Sequence, residues 1–504
     1  MALAIVHSRA ALGIEAPLVT VEVHLANGLP AFNIVGLPET VVKESRERVR
    51  SAILNAQLDF PLRRITVNLA PADLPKSGGR FDLAIALGIL VASKQLPATA
   101  VVGREFMGEL ALSGEVRRVS GLLPGLIACR RERRTCIVPA GNAGEAGLLD
   151  GADIQLCGHL LELLDGLSGE RELPRPAPVQ AQPVRVPDLA DVIGQDSAKR
   201  ALLVAAAGGH NLLLRGPPGT GKTMLASRMA GILPPLTEQQ ALEVAALQSL
   251  SRGGVDPQTW RNVPFRAPHH TCSAVALVGG GSTLHAGEIS LAHHGLLFLD
   301  ELPEFSAKVL DVLREPLEAG EVSISRARYQ VRLPARFQLV AAMNPCPCGH
   351  HGDPQRECRC TPDRVRQYRQ RVSGPLLDRI DLQVEVPRLS EVEQVRWRRE
   401  CGGTGPDSNG LRERVIACRA LQQARAGCCN AHLPQPLLQK VCVLDAEEQR
   451  LLDDAMQRLQ LSLRAYFRIL KIARTIADLD GVEAIAAPQL LEAINYRRFD
   501  GAAG

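Results

Sequence analysis

Apolar and polar positions alternate along the first third of the chain in two rhythms. Period-two runs predict strands at Leu18 to Leu25, Arg64 to Leu69 and Thr135 to Val138, while Thr40 to Asn55 and Phe81 to Lys94 carry helical spacing. The segment Arg171-Glu-Leu-Pro-Arg-Pro-Ala-Pro-Val-Gln-Ala-Gln-Pro183 breaks both rhythms. Proline fixes φ and removes a donor, so this stretch reads as a semi-rigid spacer. Beyond it, Leu212-Leu213-Leu214 predicts a buried strand, Gly295 to Leu299 a second ending in Asp300-Glu301, and Gln338 to Met343 a third ending in Asn344. A polar segment around Cys401 to Gly410 precedes a helical tail that starts at Leu411. The expected class is α/β: a first unit at 1–168, a linker at 169–187, a core at 188–389 and a helical unit at 390–504.

Composition narrows the function classes only a little. With 504 residues, 46% hydrophobic and 22% charged, the chain can bury several cores and gives no sign of wholesale disorder. A net charge of +4 does not mark a nucleic-acid binder, so any such binding must come from local basic patches. No apolar run reaches the roughly 18–20 residues of a membrane span, and the N-terminus lacks a secretory pattern. The expectation is therefore a cytoplasmic protein with no membrane partner. Thirteen cysteines, an odd number, point to reduced thiols.

The sharpest chemistry lies in Gly216-Pro217-Pro218-Gly219-Thr220-Gly221-Lys222-Thr223, between an apolar run and a helical one. Glycines let backbone N–H groups turn inward toward a polyphosphate, and the following helix N-terminus favours negative charge. Lys222 is spaced to reach the β- and γ-phosphates of ATP, and the Thr223 hydroxyl to ligate Mg²⁺. Asp300 at a strand end suits the same Mg²⁺ through water, and Glu301 suits a general base for the attacking water. Asn344, an uncharged amide at the third strand end, can orient that water.

The order of these motifs resembles the AAA+ ATPases, and the full pattern resembles the ComM/YifB group, described as magnesium-chelatase-like. The distinctive pieces are Phe265-Arg-Ala-Pro-His-His-Thr-Cys-Ser273, Asn344-Pro-Cys-Pro-Cys-Gly349, Leu376-Leu-Asp-Arg-Ile-Asp381 and Ser462-Leu-Arg-Ala-Tyr-Phe-Arg-Ile-Leu470. That resemblance implies an AAA+ P-loop core with a helical lid. It makes Arg379 the arginine finger, which reaches a neighbour's ATP, and Arg464 the sensor-2 arginine of the lid. A finger acting in trans implies a closed ring, a homo-hexamer. The group is linked to branch migration of DNA during natural transformation, which makes DNA the expected partner and recombination the expected process.

Two further elements are placed by the same resemblance. Gly279 to Glu288 looks like a loop inserted into a helix, and Gly320 to Arg332 like a hairpin near the pre-sensor position; both point into the pore of related ring motors. Arg326 and Arg328 at the hairpin tip are the candidates for DNA phosphate contact, which predicts steep salt dependence. His269 and His270 fit a structural, an interface or a catalytic role equally. Cys346, Cys348, Cys358 and Cys360 form a Cys-x-Cys pair of pairs that suits structural Zn²⁺, with His350 or His351 as possible substitutes and free or redox-active thiols as the alternative.

The first unit resembles the proteolytic domain of Lon, with its ribosomal-S5-like fold, through Val42 to Ser45, Ala70 to Gly78 and Gly108 to Val116. This raises an ATP-dependent serine–lysine protease as a rival. Where Lon has Asp-Gly-Pro-Ser-Ala-Gly, this chain reads Asp73-Leu-Pro-Lys-Ser-Gly78, with Lys76 at the nucleophile's place. Where Lon's lysine follows Gly-Gly-Leu, the chain has Ser120-Gly-Leu-Leu-Pro-Gly125. Ser77 is left without a matching base, so the dyad is expected to be lost. Ring assembly or DNA contact, aided by Arg130 to Arg134, is the expected use of the unit. A magnesium-chelatase-like or protein-remodelling ATPase is the other alternative to a DNA motor.

Overall fold

The computed structural model describes residues 2–36, 40–182, 186–251, 253–281, 285–325, 330–353, 355–389 and 407–497. Two sheets organise it. The first is mixed and seven-stranded, in the order 31–35, 64–70, 18–26, 2–9, 104–106, 135–139 and 154–157. Its 18–26 strand pairs antiparallel with both neighbours. Val19, Val21, Val23 and Leu25 turn inward together, as the period-two spacing requires. They meet the helix Asp82–Ala92, which is buried almost all round.

The second sheet is five-stranded and wholly parallel, in the order 265–266, 296–299, 338–343, 212–215 and 382–385. Leu212 and Leu214 face one core while Leu213 faces another. A parallel strand covered on both sides must be apolar at every position, which explains the unbroken runs in the sequence. Since all five strands point the same way, the loops at their C-terminal ends gather along one edge, where open α/β sheets bind ligands.

The described helical unit comprises the helices Ser408–Ala426, Gln435–Val441, Ala446–Arg458, Leu463–Asp480 and Ala487–Asn495. The first begins at Ser408 rather than Leu411, because the Asp407 side chain accepts the Gly410 N–H at 3.1 Å and caps the opening turn. This unit shares one apolar core with the helix Asp196–Gly208 and the parallel sheet.

The proline-rich segment departs from the spacer expectation. Leu173 is buried in the first unit's core, Pro174 accepts the Leu156 N–H at 2.8 Å, and the Val179 N–H reaches Gly147 at 3.0 Å. Neighbouring backbone supplies the hydrogen bonds that the segment cannot make within itself. It is a strap along the first unit. The helix Glu238–Ser249 of the second unit packs Ala241, Leu242 and Ala245 into the same cluster as Leu122, Leu126 and Leu149 of the first. Leu12 and Ile14 pack against the core that holds the hairpin residues Val331 and Leu333.

One carboxylate joins core to lid. Asp381 accepts the Asn211 N–H at 2.9 Å and pairs with Arg468 of the lid helix Leu463–Asp480. Burial pushes its carboxyl up, but Arg468, His210 and the Asn211 N–H outweigh burial and hold it well below the usual carboxylate range. A depressed carboxylate stabilises the fold above its unfolded-state pKa, and that stability is lost as pH falls below it. Asp381→Asn is therefore expected to melt lower than wild type at neutral pH and to lose less stability between about pH 5 and about pH 3. Parallel Tm–pH curves for the two proteins would refute the assignment.

Candidate functional site

The phosphate loop follows the strand Leu212–Arg215 and opens the helix Lys222–Ile232. Gly219 and Gly221 sit at φ +77° and +90°, a region that disfavours side chains, and a β-carbon at either would meet only open space. Gly216 is constrained differently: a β-carbon there would collide with the Val386 carbonyl of the neighbouring strand end. The Thr220 hydroxyl donates to the Pro217 carbonyl at 3.0 Å and braces the turn.

Lys222 is 8% exposed. Its ammonium donates to the carbonyls of Gly216 and Pro217, both at 2.8 Å, and to Asn344 Oδ1 at 3.1 Å. Burial pushes its pKa down to about 8, against the pull of Asp300 and Glu301. Thr223 Oγ1 donates to Asp300 Oδ2 at 2.6 Å, and the Glu301 N–H donates to Asp300 Oδ1 at 2.9 Å. Glu301 itself sits at φ +52°, a left-handed turn at the strand end. The structure thus brings Lys222, Thr223, Asp300, Glu301 and Asn344 together at one edge of the sheet. The donor set fits ATP with Mg²⁺: an open glycine loop, a buried lysine ammonium, and a hydroxyl beside a carboxylate as hard oxygen ligands.

His270 was not assigned to this cluster by sequence reasoning. Its Nδ1 lies 3.2 Å from Glu301 Oε2, with its ring tilted at 33° to that of His269, 4.1 Å between centroids. Nothing local in the sequence tied it there; the parallel pairing of the strand Phe265–Arg266 with 296–299 carries it to the same edge. A second unforeseen cluster joins Glu243 to His293 and His294 at 3.3 and 2.8 Å. The hydrogen bond from His293 holds the Glu243 carboxyl down at about 2, against the upward push of burial. His293 Nδ1 accepts the Arg336 N–H at 2.9 Å, so Nε2 carries the proton and donates to Glu243. That arrangement is a hydrogen-bonded clasp and leaves His293 no lone pair for a metal.

Arg379 and Arg464 are absent from the phosphate edge. Both line a cavity of about 270 Å³ with Gly209, Asn211, Glu318 and Asp378. Arg379 Nη2 pairs with Glu318 at 2.6 Å and Nη1 reaches the Pro375 carbonyl at 2.7 Å, while its buried Nε has no partner among the described residues. Arg464 is two-thirds exposed and lies 3.8 Å from Asp378. Asn211 precedes the strand Leu212–Arg215 and Gly216 follows it, about 16 Å further on at about 3.3 Å per residue.

The Cys346, Cys348, Cys358 and Cys360 sulfurs converge within 4.8 Å of one another. Arg326 and Arg328 lie outside the described residues. The hairpin base is ordered, with Ser325 paired to Gln330 and Val322, Ile324, Val331 and Leu333 turned into the core. In the first unit, Lys76 is buried and donates to the Pro71 carbonyl, while Leu123 is buried at the start of the helix Leu123–Arg131. Arg134 of the basic run is engaged by Glu105 and Glu132, at 3.7 and 3.5 Å. No described helix is long and apolar enough to cross a membrane.

Known proteins resemble this chain along nearly its whole length. The competence protein ComM of Haemophilus influenzae is 50% identical over 503 residues, covering 99% of this chain and 98% of that protein. YifB of Salmonella typhimurium is also 50% identical, with the same coverage. The chain belongs to the ComM/YifB family. Three family descriptions place it among the magnesium-chelatase-like AAA+ ATPases: "Magnesium chelatase, subunit ChlI" over 188–394, "Subunit ChlI of Mg-chelatase" over 21–142, and "Magnesium chelatase, subunit ChlI C-terminal" over 405–497. The magnesium-chelatase 38 kDa subunit of Cereibacter sphaeroides is 24% identical over 59% of this chain and 87% of that subunit.

In a ComM/YifB protein so built, Gly216 admits no side chain. Gly216→Ala must push the phosphate loop away from Val386 and is expected to weaken binding of a fluorescent ATP analogue by about tenfold or more, the scale of losing a preorganised site. Unchanged affinity would show that the loop tolerates the shift.

Proposed function

We propose that this ComM/YifB-family chain is an ATP-driven hexameric ring motor in the cytoplasm. It translocates on DNA and branch-migrates or unwinds it, in recombination during natural transformation. The observation that carries the ring is the placement of Arg379 and Arg464 at the opposite end of the 212–215 strand from their own phosphate loop. An arginine so placed serves a neighbour, and successive neighbours close a ring. The competence name of the Haemophilus relative supports DNA as the polymer. Arg326 and Arg328 at the hairpin tip are the proposed phosphate contacts.

When ATP·Mg²⁺ is bound, it supplies the phosphoryl group and the metal charge that hydrolysis needs. In this reading Lys222 exchanges its carbonyl partners for phosphate oxygens, and Thr223 and Asp300 hold Mg²⁺. Glu301 takes the proton of the attacking water, with Asn344 orienting it and His270 placing the carboxylate. Arg379 and Arg464 stabilise charge on the neighbour's nucleotide. Structural Zn²⁺ at the four cysteines belongs to the same proposal. The likeness to the 38 kDa chelatase subunit favours a second reading, a magnesium-chelatase-like or protein-remodelling AAA+ ATPase. DNA-stimulated ATPase activity separates the two.

Purified protein is expected to dissociate a synthetic four-way junction with ATP, and Glu301→Gln to bind ATP but turn it over about 10²–10⁴ times more slowly. Failure of wild type on junctions, together with an ATPase indifferent to DNA, would favour the second reading. Arg379→Ala is expected to lose about 10³–10⁵ in hydrolysis rate. Activity should return in mixed rings with a Lys222→Ala partner, because the two defects then fall on opposite sides of an interface. Mixed rings as inactive as either variant alone would remove the trans assignment.

A further inference from the structure

Cys346, Cys348 and Cys358 hold their sulfurs 3.4, 3.6 and 3.7 Å apart, with Cys360 completing the group. A tetrahedral ion with metal–sulfur bonds of about 2.3 Å sets its sulfurs about 3.8 Å apart. A disulfide would bring two of them to about 2.0 Å. The spacing suits one ion held by four thiolates. Backbone N–H groups converge on the same atoms. His351 donates to Cys346 Sγ at 3.3 Å, His350 and Arg359 donate to Cys348, Cys360 to Cys358, and Cys348 to Cys360. Amide donors aimed at sulfur are outer contacts of the kind that orient the ligands of metal knuckles.

The loop between the pairs, Gly349-His-His-Gly-Asp-Pro-Gln-Arg-Glu357, has almost nothing apolar to bury. Its form must come from polar anchors: Asp353 receives Arg388 at 2.7 Å and His350 at 3.2 Å. This loop also touches the nucleotide site. Gly349 is at φ +81°, and a β-carbon there would sit 2.5 Å from Pro218 Cδ of the phosphate loop. Asn344, which receives Lys222, is two residues before Cys346. The thiol knuckle therefore abuts the phosphate loop from one side and continues into the Lys222 partner on the other.

We propose that Cys346, Cys348, Cys358 and Cys360 bind one Zn²⁺, and that this ion braces the phosphate loop through Gly349 and Pro218, so that metal occupancy sets nucleotide affinity. The coupling rests on the reading of Gly216–Thr223 as the ATP site; the metal site does not. Folding energy supplied by a bound metal is the ordinary source of order in a segment without a core.

The test uses the full chain under reducing conditions. Zinc content is measured by mass spectrometry, and cobalt is substituted to read a four-thiolate absorption spectrum. Binding of a fluorescent ATP analogue is then titrated with metal-loaded, chelator-stripped and zinc-restored protein. One zinc per chain is expected. Stripping should weaken nucleotide binding by about tenfold or more, reversibly, as a preorganised loop loses its support. Cys358→Ser should lose both zinc and affinity. Gly349→Ala should keep zinc and lose affinity, which separates the brace from simple unfolding. A chain that takes up no zinc or cobalt overturns the site. Zinc uptake with equal affinity in stripped and loaded protein overturns the coupling. Metal-loaded wild type that binds no nucleotide sinks the ATP reading and the coupling with it, while zinc content still decides the site.

Discussion

A buried ammonium is the constraint around which the second unit is arranged. Taking a lysine charge out of water costs several kcal/mol unless polar partners replace the solvent. Lys222 finds them in two carbonyls of its own loop and in Asn344. Each partner needs a fixed scaffold. The carbonyls require the glycine turn, Asn344 requires the adjacent strand 338–343, and the two strands require a parallel sheet that ends both at one edge. Asp300 and Glu301, just past the end of the next strand, oppose the effect of burial on the ammonium. The packing of the apolar strands is thus in service of a small polar edge that could not exist on a single element.

Much of this was legible because it is local. The glycine loop, the strand that precedes it and the acids ending 296–299 are contiguous in sequence, and their chemistry follows from neighbours within a few residues. The run Leu212-Leu213-Leu214 announced a strand covered on both faces by having no polar position at all. What was not legible depends on closure over distance. The cavity holding Arg379 and Arg464 is walled by residues from 209–211, 318 and 378, which no periodicity connects. The clasp of Glu243 on His293 joins a helix to a strand entry 50 residues away. The proline-rich strap misled for a related reason: composition reports what a segment cannot do alone, and its partners at Leu156 and Gly147 lie outside it.

The four cysteines stand between these cases. Their spacing advertised a cluster, and the chain brings the sulfurs together as the spacing implied. The spacing gave no hint of what the knuckle leans on. That depends on Gly349 alone, whose left-handed backbone and missing side chain let one loop seat against Pro218. A glycine in a polar loop is usually read as slack; at this position it is a bearing surface.

The contact between the first unit and the hairpin 321–334 has a mechanical meaning. Gly13, at φ +60°, approaches so closely that a β-carbon would lie 2.8 Å from Val331, and Leu12 and Ile14 pack on the core that holds the hairpin. The hairpin is shouldered along its second strand by the turn that joins the strands 2–9 and 18–26 of the seven-stranded sheet. Any tilt of its strands must carry residues 12–14 along or peel them away from an apolar seat. A hairpin seated in this manner couples its second strand to the turn between two strands of the seven-stranded sheet.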